Sequence, residues 1–178
     1  KNKVSMFDLK DGNGPVPAHR HINPGGSIGG WVADTAKVGK NCWIGPSAKV
    51  SDYAEIYGNA RIIEKAFISH FAQVFEDAQI YGDADVCGDA LVYGDAHVFG
   101  KAMVCESARV YERAQVSGEA LIRGEARIFG EAQVGNCFEI HGSAEVFGNS
   151  KVYDYAHIFH KSQVYGEAQV FGHAQVYG

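Results

Sequence analysis

This sequence predicts an all-β solenoid, one chain wound into stacked parallel coils, and three observations carry that prediction. From Val32 to Val176 every sixth residue is Val or Ile, twenty-five positions in unbroken register. Four residues after these comes Ala, replaced only at Cys42, Phe138, Ser150 and Ser162. Between the two, Gly recurs at the third position of the hexad and Asp, Glu, Asn or Lys at the fourth. Self-similarity this strict marks a repeat architecture.

The elements follow in chain order. Residues 1–30 lie outside the repeat and read as an N-terminal cap or loop. Val4 to Leu9 has the composition of a short strand. Gly12, Gly14, Pro15, Pro17, Pro24, Gly25, Gly26, Gly29 and Gly30 then oppose both helix and ladder. A solenoid end exposes apolar core and unpaired backbone, so it needs a cover, for which Met6, Phe7 and Leu9 are candidates.

Residues 31–178 form the repeat domain. The β-branched residue at position 1 suits a buried strand. Its neighbours at positions 6 and 2 point the other way, because strand side chains alternate. Gly and a polar residue make a corner. Ala just past the corner points into a space too tight for more. One strand and one corner in six residues make one side of a polygonal coil.

Composition sets outer limits. At 178 residues and 46% hydrophobic content the chain can bury a substantial core. The net charge of -5 is mixed in sign, and without a basic stripe no nucleic-acid partner is expected. No apolar run approaches the roughly 18 residues of a membrane span, and no signal peptide is visible. The chain opens on Lys1 rather than Met, which leaves N-terminal processing open. A cytoplasmic or virion-associated location is expected. Cys42, Cys87, Cys105 and Cys137 lack zinc-type spacing and read as unpaired thiols.

Units such as Val92-Tyr93-Gly94-Asp95-Ala96-His97 and Val98-Phe99-Gly100-Lys101-Ala102-Met103 resemble the hexapeptide repeats of left-handed parallel β-helix proteins. That superfamily includes trimeric acyltransferases and γ-class carbonic anhydrases. The resemblance covers about 145 residues and implies a triangular solenoid of about 18 residues per coil, hence about eight coils. It also implies a left-handed winding, opposite to the usual crossover preference. Gly29-Gly30-Trp31-Val32, Asn41-Cys42-Trp43-Ile44 and the Tyr-Gly-Asn/Asp-Ala units further resemble the YdcK-like group, uncharacterised bacterial and phage-encoded proteins loosely classed as transferases.

Sorting hexads by this coil length assigns an outward column to each face. One face places Tyr57, Phe75, Tyr93, Tyr111, Phe129, Phe147 and Tyr165 at position 2, an aromatic stack with rings about 4.8 Å apart. A second face is patchier, with Ile63, Tyr81, Phe99, Tyr153 and Phe171. The third carries Cys87, Cys105, Arg123, His141, Phe159 and Tyr177, among others. A stripe of seven rings either stabilises its own ladder, meets another copy of the chain, or docks a protein or glycan. Phe138 stands at an inward corner between Ala120 and Ala156, so the corner must shift or a void must be filled.

The chemistry is sparse. The three-His zinc pattern of the γ-class carbonic anhydrases is absent: 36 residues on from His70 comes Glu106, and from His97 comes Gln133. His141, His157 and His160 occupy different hexad positions, and His19 and His21 lie in the cap, so no metal site and no cofactor is expected. Glu76, Asp77, Asp83, Asp85, Asp89 and Asp95 read as a solvated acidic rim at the corners. Thr35 is the only Thr, which excludes a Thr-ladder ice-binding surface.

The leading expectation is a non-catalytic structural or binding rod that uses its aromatic face for self-association or partner docking, as in a phage or surface assembly. A homo-oligomer is expected, with a trimer favoured by the resemblance. The alternative is a homotrimeric acyltransferase taking an acyl-CoA donor, with His70, His141 and His160 as nominal bases. The uninterrupted hexads weigh against it, since they supply no loop to build a cleft. End-to-end polymerisation through an open C-terminal edge is a third expectation.

Overall fold

The computed structural model describes residues 5–178, so Val4 of the expected first strand lies outside the described residues. Those residues form 27 strands in three sheets, and no helix is present among them. From Lys37–Val38 onward, each strand has two or three residues with the Val or Ile at its second position. Each pairs in parallel with the strands 18 residues away on either side. Val74 lies between Ile56 and Val92, Ile80 between Ile62 and Val98, and Val86 between Ile68 and Val104. These ladders define the first, second and third faces of a parallel β-solenoid of about eight coils.

The interior is built as the hexad predicts. The Val/Ile and Ala positions from Ile44 to Ile158 are buried almost without exception and form one continuous core. Ser150 and Ser162, which replace Ala, satisfy their hydroxyls by donating to the carbonyls of Phe147 and Phe159, each at 2.8 Å. Polar atoms are tolerated inside only when paired this way.

The corners have a fixed backbone conformation. From Asp52 to Gly172 the third residue of every hexad has positive φ, twenty-one in succession. Twelve are Gly, and the other nine are Asp, Glu, His or Asn. Coils stack closely here: a Cβ on Gly82 would stand 2.7 Å from the carbonyl oxygen of Gly100.

The N-terminal segment is more ordered than its Gly and Pro content predicts. Strand β1 (Met6–Asp8) pairs antiparallel with β2 (Pro15–Ile22), and β2 pairs antiparallel with β3 (Ile28–Ala33), which opens the third face. Pro15 and Pro17 are accommodated on this meander, where alternate N–H groups face away from the neighbouring strand. Asn23 then closes the sheet edge, its amide oxygen accepting the Ile44 N–H at 2.8 Å and its amide nitrogen donating to the Ile44 carbonyl at 3.1 Å. His21 bonds the Cys42 carbonyl at 3.0 Å. Of the expected covering residues, Leu9 is buried in the core and Phe7 stacks on Trp31 at 4.1 Å, while Met6 faces solvent.

One corner breaks the pattern. Phe138 swings outward to 61% exposure, and Cys137 turns into the core in its place. The strand that follows, Glu139–Ile140, keeps only the Ile122–Ile140 pairing to the coil before it, and Glu139 is drawn in to 7% exposure. The large side chain is thus accommodated by displacing the corner rather than by filling a void.

Candidate functional site

The first face carries the aromatic column as a continuous stack. Successive ring centroids from Tyr57 to Tyr165 lie 4.7–5.4 Å apart, with interplanar angles of 2–14°. The coil spacing imposes this distance, because position 2 is the same outward strand residue in each coil. Interior rings therefore spend both faces on each other and present only their edges. Burial raises the Tyr57, Tyr93 and Tyr111 hydroxyls above the usual phenol value, so these three carry no charge near neutrality. Arg127 and Glu145, in the adjoining position-6 column, pair with each other at 3.7 Å.

The second face stacks Tyr81 on Phe99 and Tyr153 on Phe171. Between these pairs, Ser117 and Gly135 replace the rings and leave a shallow hollow of about 170 Å³.

The third face holds a polar constellation that the sequence pattern does not single out. Glu139 and His157 are register partners on adjacent strands, and His141 stands two residues past Glu139 on the same outward side. His141 Nε2 and His157 Nε2 are 2.9 Å apart. Glu139 Oε2 lies 3.6 Å from His157 Nε2 and 3.9 Å from His141 Nε2. The other carboxylate oxygen, Oε1, is held by Arg123 Nε, and Arg123 also reaches Glu106 at 3.6 Å. Phe159 packs on both imidazoles, with centroids 4.5 Å from His157 and 5.7 Å from His141, and Phe138 meets His157 edge-on at 5.5 Å. Burial first, and the neighbouring His141 second, push His157 below the usual imidazole value.

A recognisable signal existed: position 6 of one hexad, position 2 of the next, and position 6 eighteen residues on from the first. Comparing only like positions between coils, as the carbonic anhydrase test does, passes over it.

The other nominal bases are placed differently. His160 is an exposed corner residue with positive φ, its ring edge-on to Phe159. His70 lies at the equivalent corner, with Ser69 Oγ at 3.0 Å and Asp52 Oδ2 at 4.0 Å. This grouping has the composition of a hydrolytic triad but not its wiring. Both partners address Nδ1, whereas a relay needs nucleophile and acid on opposite ring nitrogens. An open hollow of about 410 Å³ adjoins it, lined by Asp11, Asn13, Tyr53, Phe67 and Phe71.

Cys87 and Cys105 stack on the third face as free thiols. The hydrogen bond from Cys87 lowers Cys105 below the usual thiol value, while holding that proton raises Cys87. Asp85 lies on a strand between Phe67 and Met103 rather than at a corner of the acidic rim. No described helix is long and apolar enough to cross a membrane. No protein-family model matches the chain, and no similar protein was found among curated sequences.

Proposed function

We propose that the chain is a non-catalytic rod of the hexapeptide-repeat, left-handed β-helix type whose aromatic face packs against other copies of itself. The uninterrupted stack of seven rings carries this reading, because it makes a straight, rigid and uncharged stripe along seven coils. Such a stripe is larger than a solvated surface ordinarily leaves bare. The ring geometry favours a protein surface over a glycan. Sugars bind aromatic faces, and here only the end rings, Tyr57 and Tyr165, keep a face free. A protein surface instead meets the ring edges, in the edge-to-face manner aromatic groups prefer. A trimer is the assembly the family resemblance favours.

Catalysis receives less support. The histidine nearest a sizeable hollow, His70, lacks a relay, and that hollow is open rather than a cleft suited to an acyl-CoA arm. Sedimentation of the intact protein over a concentration series tests the proposal, with Tyr93→Glu/Tyr111→Glu as the variant. The expected result is a multiple of 19.2 kDa for the native chain and 19.2 kDa for the variant. A native monomer at every concentration would overturn self-association. Acyl-CoA binding in a calorimeter would overturn the non-catalytic reading.

A further inference from the structure

We infer that Glu139, His141 and His157 form a binding site for a divalent transition-metal ion of the zinc type. The three donor atoms already converge, with separations of 2.9, 3.6 and 3.9 Å. Zinc bonds of about 2.0–2.2 Å at angles between square and tetrahedral place ligand atoms roughly 2.9–3.5 Å apart. Shifts of a few tenths of an ångström in the side chains therefore close the site. Two imidazole nitrogens and one carboxylate oxygen select zinc, cobalt or nickel over calcium and magnesium, which demand oxygen shells.

The surroundings orient the donors. Arg123 engages Oε1 and leaves Oε2 turned to the imidazoles, while Glu106 offsets part of the Arg123 charge. Orienting bonds of this kind from beyond the ligand atoms are what bound metals ordinarily require. Phe159 and Phe138 fix the imidazole planes from below and from the side.

An independent observation points to the same place. Phe138 is the only large residue at the inward fifth position of the hexad, and beside its displaced side chain Glu139 is buried. Burying a carboxylate costs free energy that opposite charge recovers; Arg123 supplies it at Oε1, and a bound cation would supply it at Oε2. Both imidazole side chains remain about a quarter exposed, so an ion can enter from solvent. Three protein ligands leave a further coordination position for water or a small anion.

The test is Zn²⁺ and Co²⁺ titration of the intact, metal-stripped protein, by calorimetry and by the visible absorption of bound cobalt. The expected result is one ion per chain, at micromolar affinity or tighter. Binding should be lost in His141→Ala/His157→Ala and weakened more than tenfold in Glu139→Gln. It should persist in Cys87→Ser/Cys105→Ser, which removes the other ligand-type pair on this face. Circular dichroism of each variant establishes that the coils are intact. No binding by the native chain at 100-fold excess of zinc would overturn the site. Unchanged stoichiometry and affinity in the double histidine variant, or loss in the cysteine variant alone, would overturn it equally.

Discussion

The Glu76 carboxylate accepts the backbone N–H of Gly94, eighteen residues on, at 2.8 Å, while Glu76 itself holds φ at +58°. The same bond joins Glu64 to Gly82, Glu106 to Gly124 and Glu112 to Gly130 at 2.7–2.8 Å. The ladder between coils uses the N–H groups of positions 2, 4 and 6, leaving that of position 3 turned outward at the corner. Gly meets the corner by having no Cβ to strain. Glu accepts the strain and offsets it with a charge-assisted hydrogen bond to the next coil. The corners thus have two chemically distinct solutions.

This relationship inverts a familiar ranking. Glu112→Ala loses the bond to Gly130 and keeps the positive φ, and is expected to cost about 1–2 kcal/mol. Glu112→Gly loses the same bond but relieves the backbone, so it should retain about 1 kcal/mol more than the Ala variant. On a chain of this size that separates their thermal midpoints by about 2–4 °C. An Ala variant as stable as the Gly variant would remove the backbone argument.

The aromatic column makes a prediction of its own. Tyr111 stacks on both Tyr93 and Phe129, at 5.0 and 4.9 Å, whereas Tyr165, at the end of the column, stacks on Phe147 at 5.4 Å. With about 0.5–1.5 kcal/mol per stacked pair, Tyr111→Ala should destabilise about twice as much as Tyr165→Ala. Thermal midpoints taken at low protein concentration measure this without a contribution from self-association. Equal losses would mean the rings do not support one another.

The fold was legible because the hexad states each residue's job locally. Val74 must be inside, Ala78 must be small and Phe75 must face out, whatever the neighbouring coils contain. The column from Tyr57 to Tyr165 follows from that same assignment. The hexad positions of Glu139, His141 and His157 make them neighbours, but the burial of Glu139 was not legible, because it accompanies a departure from the repeat. Phe138 announces a conflict, but composition alone does not say whether the corner or the core yields. The strand over Pro15–Ile22 was hidden for another reason: its pairing partner is the first repeat strand, so tertiary context overrides the local Gly and Pro signal.

Asp85 carries a pH prediction. Flanked on its ladder by Phe67 and Met103, it is half-buried, and burial raises its carboxyl above the ordinary value of 3.8. The folded chain then holds this proton more tightly than the unfolded chain. Stability therefore falls as pH rises above 3.8 and the folded-state carboxyl ionises. Asp85→Asn removes the charge at nearly constant shape, so it should raise the thermal midpoint at pH 7 by about 1–3 °C. That gain should shrink as pH falls and vanish below 3.8, where both states are protonated. A gain independent of pH would assign the effect to packing instead.

Cys105 is expected to be the most reactive thiol of the chain. Cys42 and Cys137 are buried, and burial raises both, Cys137 to about 12. Cys87 retains its proton in the bond to Cys105, and that bond, assisted by the charge of Arg123, favours the Cys105 thiolate. Thiolate, not thiol, is the nucleophile, so iodoacetamide should label Cys105 first. The midpoint of its rate against pH should fall below the ordinary 9.0. Cys87→Ala removes the donor while leaving the outward position filled by a small side chain. In that variant the midpoint should move up and labelling at pH 7.5 should slow. Peptide mass mapping after timed labelling measures both quantities. First labelling at Cys87, or a Cys105 midpoint unmoved by Cys87→Ala, would show that the stacked thiols do not share a proton.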